Sequence, residues 1–426
     1  MGEIMGEITD QKAKQLIEQA EKDLRDRFFA IDEIAYKNQC KVTEAFRQIR
    51  LTEEFFVEKT GYAIDDPGRI ALDQAFAIIF GAQRACVRMQ FVSGTHALAC
   101  AILGNIAKGD KLVTLTGAPY DSLEPVLGLR DDEPGNMKSL GASYVELDLN
   151  PQVFSADEIK AVLKKNTGAK IYYIQKSRGY SVDRKSLSQA DIKKLIDCVR
   201  ETDTNALVLV DNCYGEFVEE LEPTAVGADL VAGSLIKNPG GGLAITGGYL
   251  AGKENAVLAA ANRLTAPGVG DHLGVSYNQY RSIFQGLFMA PLVVSQALKG
   301  ASLYAMVFEK MGYVVSPGPL ENRYDIIQSI ILGSPDKLVE FCQTIQKYSP
   351  VNSHVNPAPA QMPGYQDEVV MAGGTFVENS TIEFSADGPL RSPYVAYMQG
   401  GLSYHHIRYC LERTLCESKS LEAKIS

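Results

Sequence analysis

The chain has 426 residues, 46% of them hydrophobic and 22% charged, which leaves room for two or three domains and a large core. Its formal net charge of -10, with no local lysine–arginine cluster, argues against nucleic acid or an anionic membrane as a main partner. The charged N-terminus shows no apolar leader and no uninterrupted apolar run approaches ~20 residues, so no membrane span is expected and the location expected is cytoplasmic.

Eight cysteines (Cys40, Cys86, Cys100, Cys198, Cys213, Cys342, Cys410 and Cys416) occur without CxxC spacing, several inside apolar runs, as inert thiols do in a reducing compartment. Residues from about Asp10 to Val57 carry apolar side chains at helical spacing, with Leu16, Ile17, Ala20, Leu24, Phe28 and Ile31 on one stripe and Val42, Phe46 and Ile49 on another. They predict two or three helices packed on something larger, over residues 1–60. Gly61-Tyr62-Ala63-Ile64-Asp65-Asp66-Pro67-Gly68-Arg69 breaks that pattern as a loop, on which a tyrosine and an arginine suit a phosphate or carboxylate as well as a solvated turn.

From Ile70 strands and helices alternate. A helix over Ala71 to Gly81 and a strand over Cys86 to Val92 lead to Ser93-Gly94-Thr95-His96 and an Ala/Leu-rich helix. A strand, a small-residue turn and a helix start leave free backbone N–H groups at a positive dipole end, the physical basis of phosphate binding. Strands follow at Leu112 to Leu115, Val145 to Leu147 and Lys170 to Gln175, the last running into Lys176-Ser177-Arg178-Gly179-Tyr180. Capping boxes at Ser155 and Ser188 open intervening helices. Repeated β-α units of this kind predict a mostly parallel sheet covered on both faces, in a large domain over residues 61–310. No GxGxxG follows the first strand, and Lys237 precedes the glycines at 240–242, so neither a dinucleotide site nor a P-loop is supported.

Two apolar runs carry the chemistry. Leu207-Val208-Leu209-Val210 stops on Asp211-Asn212, and Asp229-Leu230-Val231-Ala232-Gly233 delivers Ser234-Leu235-Ile236-Lys237 into Asn238-Pro239-Gly240-Gly241-Gly242. Both read as buried parallel strands, and ligands of such sheets sit beyond the carboxyl ends of the strands. A lysine at an apolar strand end has its ammonium form disfavoured by desolvation, which makes it an amine able to condense with an aldehyde. A fixed carboxylate nearby could keep a pyridine nitrogen protonated. These are the two protein groups that a pyridoxal phosphate site requires.

Beyond a strand-like Tyr249-Leu250-Ala251, a helix from about Glu254 to Leu264 and a long helix from about Ser276 to Phe308 are predicted, the latter with Gly286, Pro291 and Gly300 as kinks or joints. Near Met311 the texture changes to a smaller α+β domain, residues 311–426, with strands at Tyr313 to Val315, Asp325 to Ile331 and Thr381 to Phe384. A long Pro-rich connection spans Pro350 to Gly364. His406 and Cys410 could share a helix face, but no third ligand accompanies them and no metal is expected.

The order Ser93-Gly94-Thr95, Tyr120, Asp211 and Ser234 with Lys237 resembles the cysteine/methionine-metabolism branch of fold-type-I pyridoxal phosphate enzymes. Gly61-Tyr62 with Asp65 to Arg69, Gln175 to Tyr180, Lys237 to Gly242 and Tyr397-Met398-Gln399-Gly400-Gly401-Leu402 are similar to methionine gamma-lyase-related proteins, often labelled aluminium-resistance or cystathionine beta-lyase-like. The similarity runs from about Phe55 to Leu402. It implies a large, mostly parallel seven-stranded-type sheet domain plus a smaller α+β C-terminal domain.

The same resemblance implies roles. Lys237 would hold the cofactor and act as catalytic base, and Asp211 would pair with the pyridine nitrogen. Ser93, Gly94, Thr95, Ser234 and Ser177 would serve the phosphate and its surroundings. Tyr120 would stack on the ring and assist the leaving group. Tyr62 and Arg69 would reach a neighbouring subunit's phosphate, implying a homodimer or homotetramer with shared active sites. Arg391, with Arg178, would take the substrate carboxylate, Arg408 being a competitor on a helix. Thr95-His96 stands where better-known lyases have methionine after Ser-Gly, and Leu235-Ile236 precede Lys237 where they have a threonine-containing motif. The implied activity is carbon–sulfur β- or γ-elimination on a sulfur amino acid. A transferase on the same cofactor, or a catalytically idle stress-response protein, are the alternatives.

Overall fold

The computed structural model describes residues 10–130, 133–181, 184–362, 365, 367–418 and 420–421. Helices α1 (Asp10–Asp23) and α2 (Arg25–Gln48) form along the stripes expected, burying Ala13, Ile17, Ala20 and Leu24, then Ile31, Val42 and Ala45. Helix α3 (Pro67–Phe80) starts four residues before the predicted Ala71. The Asp66 carboxylate accepts from the Arg69 N–H at 3.1 Å, and Pro67 occupies the first position, where no N–H is needed. Arg69 therefore lies in the first turn of a helix and not on the loop.

The main sheet is built from β1 (Arg84–Arg88), β2 (Lys111–Thr114), β3 (Ser143–Glu146), β4 (Ile171–Gln175), β5 (Leu207–Asp211), β6 (Leu230–Ser234) and β7 (Gly248–Gly252). Its seven strands run in the order β1-β7-β6-β5-β4-β2-β3. Strand β7 is antiparallel to β1 and β6, while the pairs from β6 to β3 are parallel. Helices α4 (Gly94–Asn105), α5 (Glu124–Leu127), α6 (Ala156–Leu163) and α7 (Gln189–Thr202) connect strands, and α8 (Glu254–Leu264) follows β7. Strands β4, β6 and β7 are buried along their whole length, as a sheet covered on both faces demands. Both capping boxes are present, at Ser155 with Glu158 and at Ser188 with Asp191.

Helix α9 (Tyr280–Lys310) runs 31 residues without a break. It has the length and hydropathy of a membrane span, but 72% of its most apolar window is buried inside the protein, so its apolar surface is satisfied by the two sheets' cores. Its glycines are points of close approach and not joints. A Cβ on Gly286 would lie 2.1 Å from the Gly240 carbonyl oxygen, and one on Gly300 2.5 Å from Ile407. The α9 surface thus admits the loop that follows Lys237.

The second sheet comprises β8 (Val314–Ser316), β9 (Gln328–Ile331), β10 (Val369–Ala372), β11 (Ser385–Pro389) and β12 (Val395–Gln399), flanked by α10 (Pro335–Lys347) and α11 (Tyr404–Glu417). It is antiparallel throughout, in the order β10-β11-β12-β9-β8. Thr381 to Phe384, expected as a strand, is a turn, and the strand begins at Ser385. Ile330, Ala386, Ala396 and Met398 face the helices, so Ser329, Asp387, Tyr397 and Gln399, alternating with them, face the main sheet's domain.

Candidate active site

Strand pairing decides where the chemistry gathers. Gln175, Asp211 and Ala232 lie side by side on β4, β5 and β6, so Asp211, Ser234 and the following Lys237 emerge at one end of the parallel strands. There the chain beyond Ser234 turns through Asn238–Gly240, held by the Asn238 amide donating to the Glu216 carbonyl at 2.9 Å. Gly241 adopts φ 53 and packs against α9, where a Cβ would meet the Gly286 oxygen at 2.3 Å.

Asp211 is 4% exposed, and each carboxylate oxygen accepts one hydrogen bond: Oδ2 from the Tyr173 hydroxyl at 3.2 Å and Oδ1 from the Cys213 N–H at 3.0 Å, leaving each a lone pair free. Burial raises its carboxyl above the ordinary range, opposed chiefly by the Lys237 charge. Lys237 is half-buried, with Nζ 3.9 Å from the centroid of the Tyr214 ring. Burial alone would depress its ammonium, but Cys213, Tyr214, Asp211 and Tyr120 around it raise it above the ordinary lysine range. The depressed amine expected from an apolar strand end is therefore not what the pocket produces, because the acidic and aromatic neighbours outweigh desolvation.

The helix start predicted to hold an anion is built as such. Ser93 caps α4 by accepting from the His96 N–H at 3.1 Å, and the first-turn N–H groups of Gly94 and Thr95 have no intrahelical acceptor. Gly94 is buried, and a Cβ there would lie 3.2 Å from Ser234 Cβ and 3.4 Å from Cys213 Sγ. Only a glycine leaves that cradle open between α4 and β6. Tyr120 hangs beside it, its hydroxyl donating to Thr95 Oγ1 at 3.0 Å and its backbone N–H to Gln175 Oε1 at 3.0 Å. Burial pushes its phenol well up, so it is a neutral donor.

Other nominated residues lie elsewhere. Ser177 donates to Asp325 Oδ2 at 2.9 Å, and buried Arg178 donates to the Ser316 carbonyl at 2.9 Å, the Ser316 hydroxyl at 2.8 Å and the Ser329 hydroxyl at 2.7 Å. Both tie the end of β4 to the second sheet. Arg391 is exposed, paired with Asp367 at 3.2 Å and donating to the Tyr180 carbonyl at 3.2 Å. Arg408 pairs with Glu21 at 2.9 Å across the N-terminal helices. Arg69 is 2% exposed and donates to the carbonyls of Ala63 and Ile64 at 2.9 and 2.8 Å, whereas Tyr62 is 82% exposed. A cavity of about 380 Å3 adjoins Arg69, but Arg84 with Asp271 and Arg88 with Asp73 already pair around it. Arg69 and His272 also line it, well away in sequence from the strand ends that present Asp211 and Lys237.

Two features escaped the sequence: Tyr214 beneath the lysine, and a tyrosine group with Tyr180 ring centroids 5.1 Å from Tyr397 and 5.7 Å from Tyr365. A tyrosine three residues beyond Asp211 was a signal for the first. The second depends on contacts between segments more than 180 residues apart.

Residues 13–419 match the methionine gamma-lyase family. The uncharacterized protein YnbB of Bacillus subtilis (strain 168) is 46% identical over 397 residues, 93% of this chain and 94% of its own length. The crystal structure of a carbon-sulfur lyase involved in aluminum resistance from Clostridium novyi NT is 42% identical and superposes with a TM-score of 0.90 over 95% of this chain and 96% of that one. The pyridoxal-5'-phosphate dependent protein YhfS from Escherichia coli, 15% identical with a TM-score of 0.61 over 91% of this chain and 97% of its own, shares the fold. The seven-stranded sheet with its smaller companion is thus the fold-type-I arrangement, and the chain belongs to the methionine gamma-lyase family.

Proposed function

We propose that the chain is a pyridoxal 5'-phosphate-dependent carbon–sulfur lyase acting on a sulfur-containing amino acid. The observation that carries this reading is the convergence of Lys237, the doubly hydrogen-bonded Asp211 and the Gly94–Ser234 cradle at one end of β5 and β6. The residues fit the group. The Gly94 and Thr95 N–H groups and the Ser234 hydroxyl would take the phosphate, Asp211 would hold a proton on the ring nitrogen, and Lys237 would hold the aldehyde carbon.

Bound there, pyridoxal phosphate supplies an electron sink for the substrate Cα. The protein's own work is the handling of protons. Lys237, once free of the cofactor, would be the amine that takes the Cα proton, poised over Tyr214. A γ-leaving thiol requires a second proton removal at Cβ, a β-leaving thiol does not. Neutral Tyr120 donates toward the departing sulfur while its link to Thr95 keeps it beside the cradle. Exposed Tyr62 supports the accompanying proposal of a homodimer or homotetramer, in which that side chain reaches a neighbouring copy's phosphate cradle and Arg69 shapes the loop carrying it.

The test is an assay of cofactor-loaded protein with cystathionine, methionine and cysteine, scored by release of thiol and 2-oxo acid. Both products from at least one substrate, lost on Lys237→Ala, are expected. Absence of thiol from all three would contradict the lyase reading.

A further inference from the structure

Three hydroxyls stand in line beside the anion cradle, and the elimination described above uses only the first. The Tyr120 hydroxyl donates to Thr95 Oγ1 at 3.0 Å, and Thr95 Oγ1 lies 2.9 Å from Ser122 Oγ. The short helical turn Asp121–Leu123 that follows Tyr120 brings Ser122 back to Thr95. A hydroxyl both donates and accepts, so each link can reverse by rotation about its C–O bond. Ser122 is partly exposed, so the line ends where water can reach it.

Burial gives the line a use. A Tyr120 that lost its proton outright would be left as a phenolate, which its surroundings strongly disfavour. A departing sulfur can therefore take the Tyr120 proton readily only if another proton arrives as it goes. The Thr95 hydroxyl is in place to deliver one, and the Ser122 hydroxyl to replace it in turn. A side chain of the same size without a hydroxyl at either position would interrupt the line.

We propose that Thr95 and Ser122 are positioning residues that resupply the proton Tyr120 gives to the departing sulfur. The proposal rests on the lyase reading of the Lys237 site. As the carbon–sulfur bond breaks, its electron pair goes to sulfur, which takes the Tyr120 proton. The Thr95 proton moves to Tyr120, the Ser122 proton to Thr95 and a water proton to Ser122. Each hydroxyl ends as it began, and the hydroxide left in solvent is neutralised by the Cα proton that Lys237 later releases.

The test uses cofactor-loaded protein with the S-ethyl and S-(2-nitrophenyl) derivatives of cysteine and of homocysteine, scored by thiol release in a single turnover. An ethyl thiolate needs a proton as it leaves, whereas the far less basic nitrophenyl thiolate does not. Ser122→Ala keeps the Tyr120–Thr95 link and should slow ethanethiol release roughly tenfold or more while changing nitrothiophenol release by less than about twofold. Thr95→Val should do the same, and Thr95→Ser should restore the wild-type rate. A second readout needs no cofactor. In protein carrying 3,5-difluorotyrosine, the fluorine resonance that Tyr120→Phe removes should titrate at higher pH in Thr95→Val than in Thr95→Ser or the wild type, because the phenolate loses Thr95 as a donor. Equal slowing of both thiols, undiminished ethanethiol release, or a Tyr120 titration indifferent to Thr95 would overturn the relay. If the wild type releases neither thiol, the lyase reading falls, and the relay with it.

Discussion

The Lys237 ammonium lies over the face of Tyr214, 3.9 Å from the ring centroid, and Tyr214 holds that place with a left-handed backbone at φ 71. A non-glycine residue in this region costs about 1–3 kcal/mol and persists only where its surroundings impose it. Against the desolvation that opposes it, Cys213, Tyr214 and the Asp211 carboxylate favour the charged lysine, and the ring's negative face adds its own attraction. Tyr214→Phe keeps the ring and should leave the lysine's titration nearly in place. Tyr214→Leu removes an attraction of about 2 kcal/mol and should lower the apparent pKa of Lys237 by roughly 1.5 units. The pH dependence of reductive methylation at Lys237 in cofactor-free protein checks this.

Glu216 sets a pH dependence of stability. It is fully buried, its Oε1 accepts from the Tyr249 hydroxyl at 2.7 Å, and its Oε2 has no partner among the described residues. Burial pushes its carboxyl up from 4.5 to about 8. The folded state therefore binds this proton more tightly than the unfolded chain does. The resulting stability is fully present below about 4.5 and is lost as pH rises toward about 8. Glu216→Gln, neutral at all pH, should exceed the wild type by up to about 5 kcal/mol at pH 9 and match it near pH 4. Urea denaturation at the two pH values measures the difference, and equal gaps at both would disprove the assignment.

Much of the main sheet was legible because its signals are local. Ser155 and Ser188 announce helices within four residues of themselves, and the apolar runs before Asp211 and Ser234 read directly as buried strands. The second sheet was harder. Strands β10 and β12 went unread, and Thr381 to Phe384 was taken for a strand although it is the turn leading into one. Pairing across long connections, more than intrinsic preference, decides such short strands. Gly286 and Gly300 looked like helix joints because a glycine's tight neighbour lies elsewhere in the chain.

The anion cradle can be closed by one methyl group. Gly94→Ala places a Cβ 3.2 Å from Ser234 Cβ and 3.4 Å from Cys213 Sγ, closer than side-chain atoms ordinarily pack. Thermal stability should fall modestly, by about 1 kcal/mol, and affinity for pyridoxal phosphate should fall by roughly tenfold or more as the phosphate is displaced. Equilibrium dialysis of the variant and the wild type gives the comparison. A loss of stability with unchanged affinity would place the anion site elsewhere.

Arg178 distinguishes strapping from substrate binding. Its guanidinium donates to Ser316 and Ser329 on β8 and β9, from the end of β4. A lysine keeps the charge but not the fork, so Arg178→Lys should cost about 2–3 kcal/mol in denaturant unfolding and change KM by less than about threefold. A large rise in KM at unaltered stability would instead make Arg178 the substrate's carboxylate partner.

The most direct measurement concerns Lys237 itself. Protein loaded with pyridoxal phosphate, reduced with borohydride and digested, should yield one peptide bearing the pyridoxyl mass, with the modification at Lys237. The other lysine near the strand ends, Lys176, is fully buried and paired with Glu219 at 2.7 Å, and it should remain unmodified. Modification at Lys176 or at surface lysines alone, or no modification, would contradict the pairing of Lys237 and Asp211 as the two grips on one cofactor.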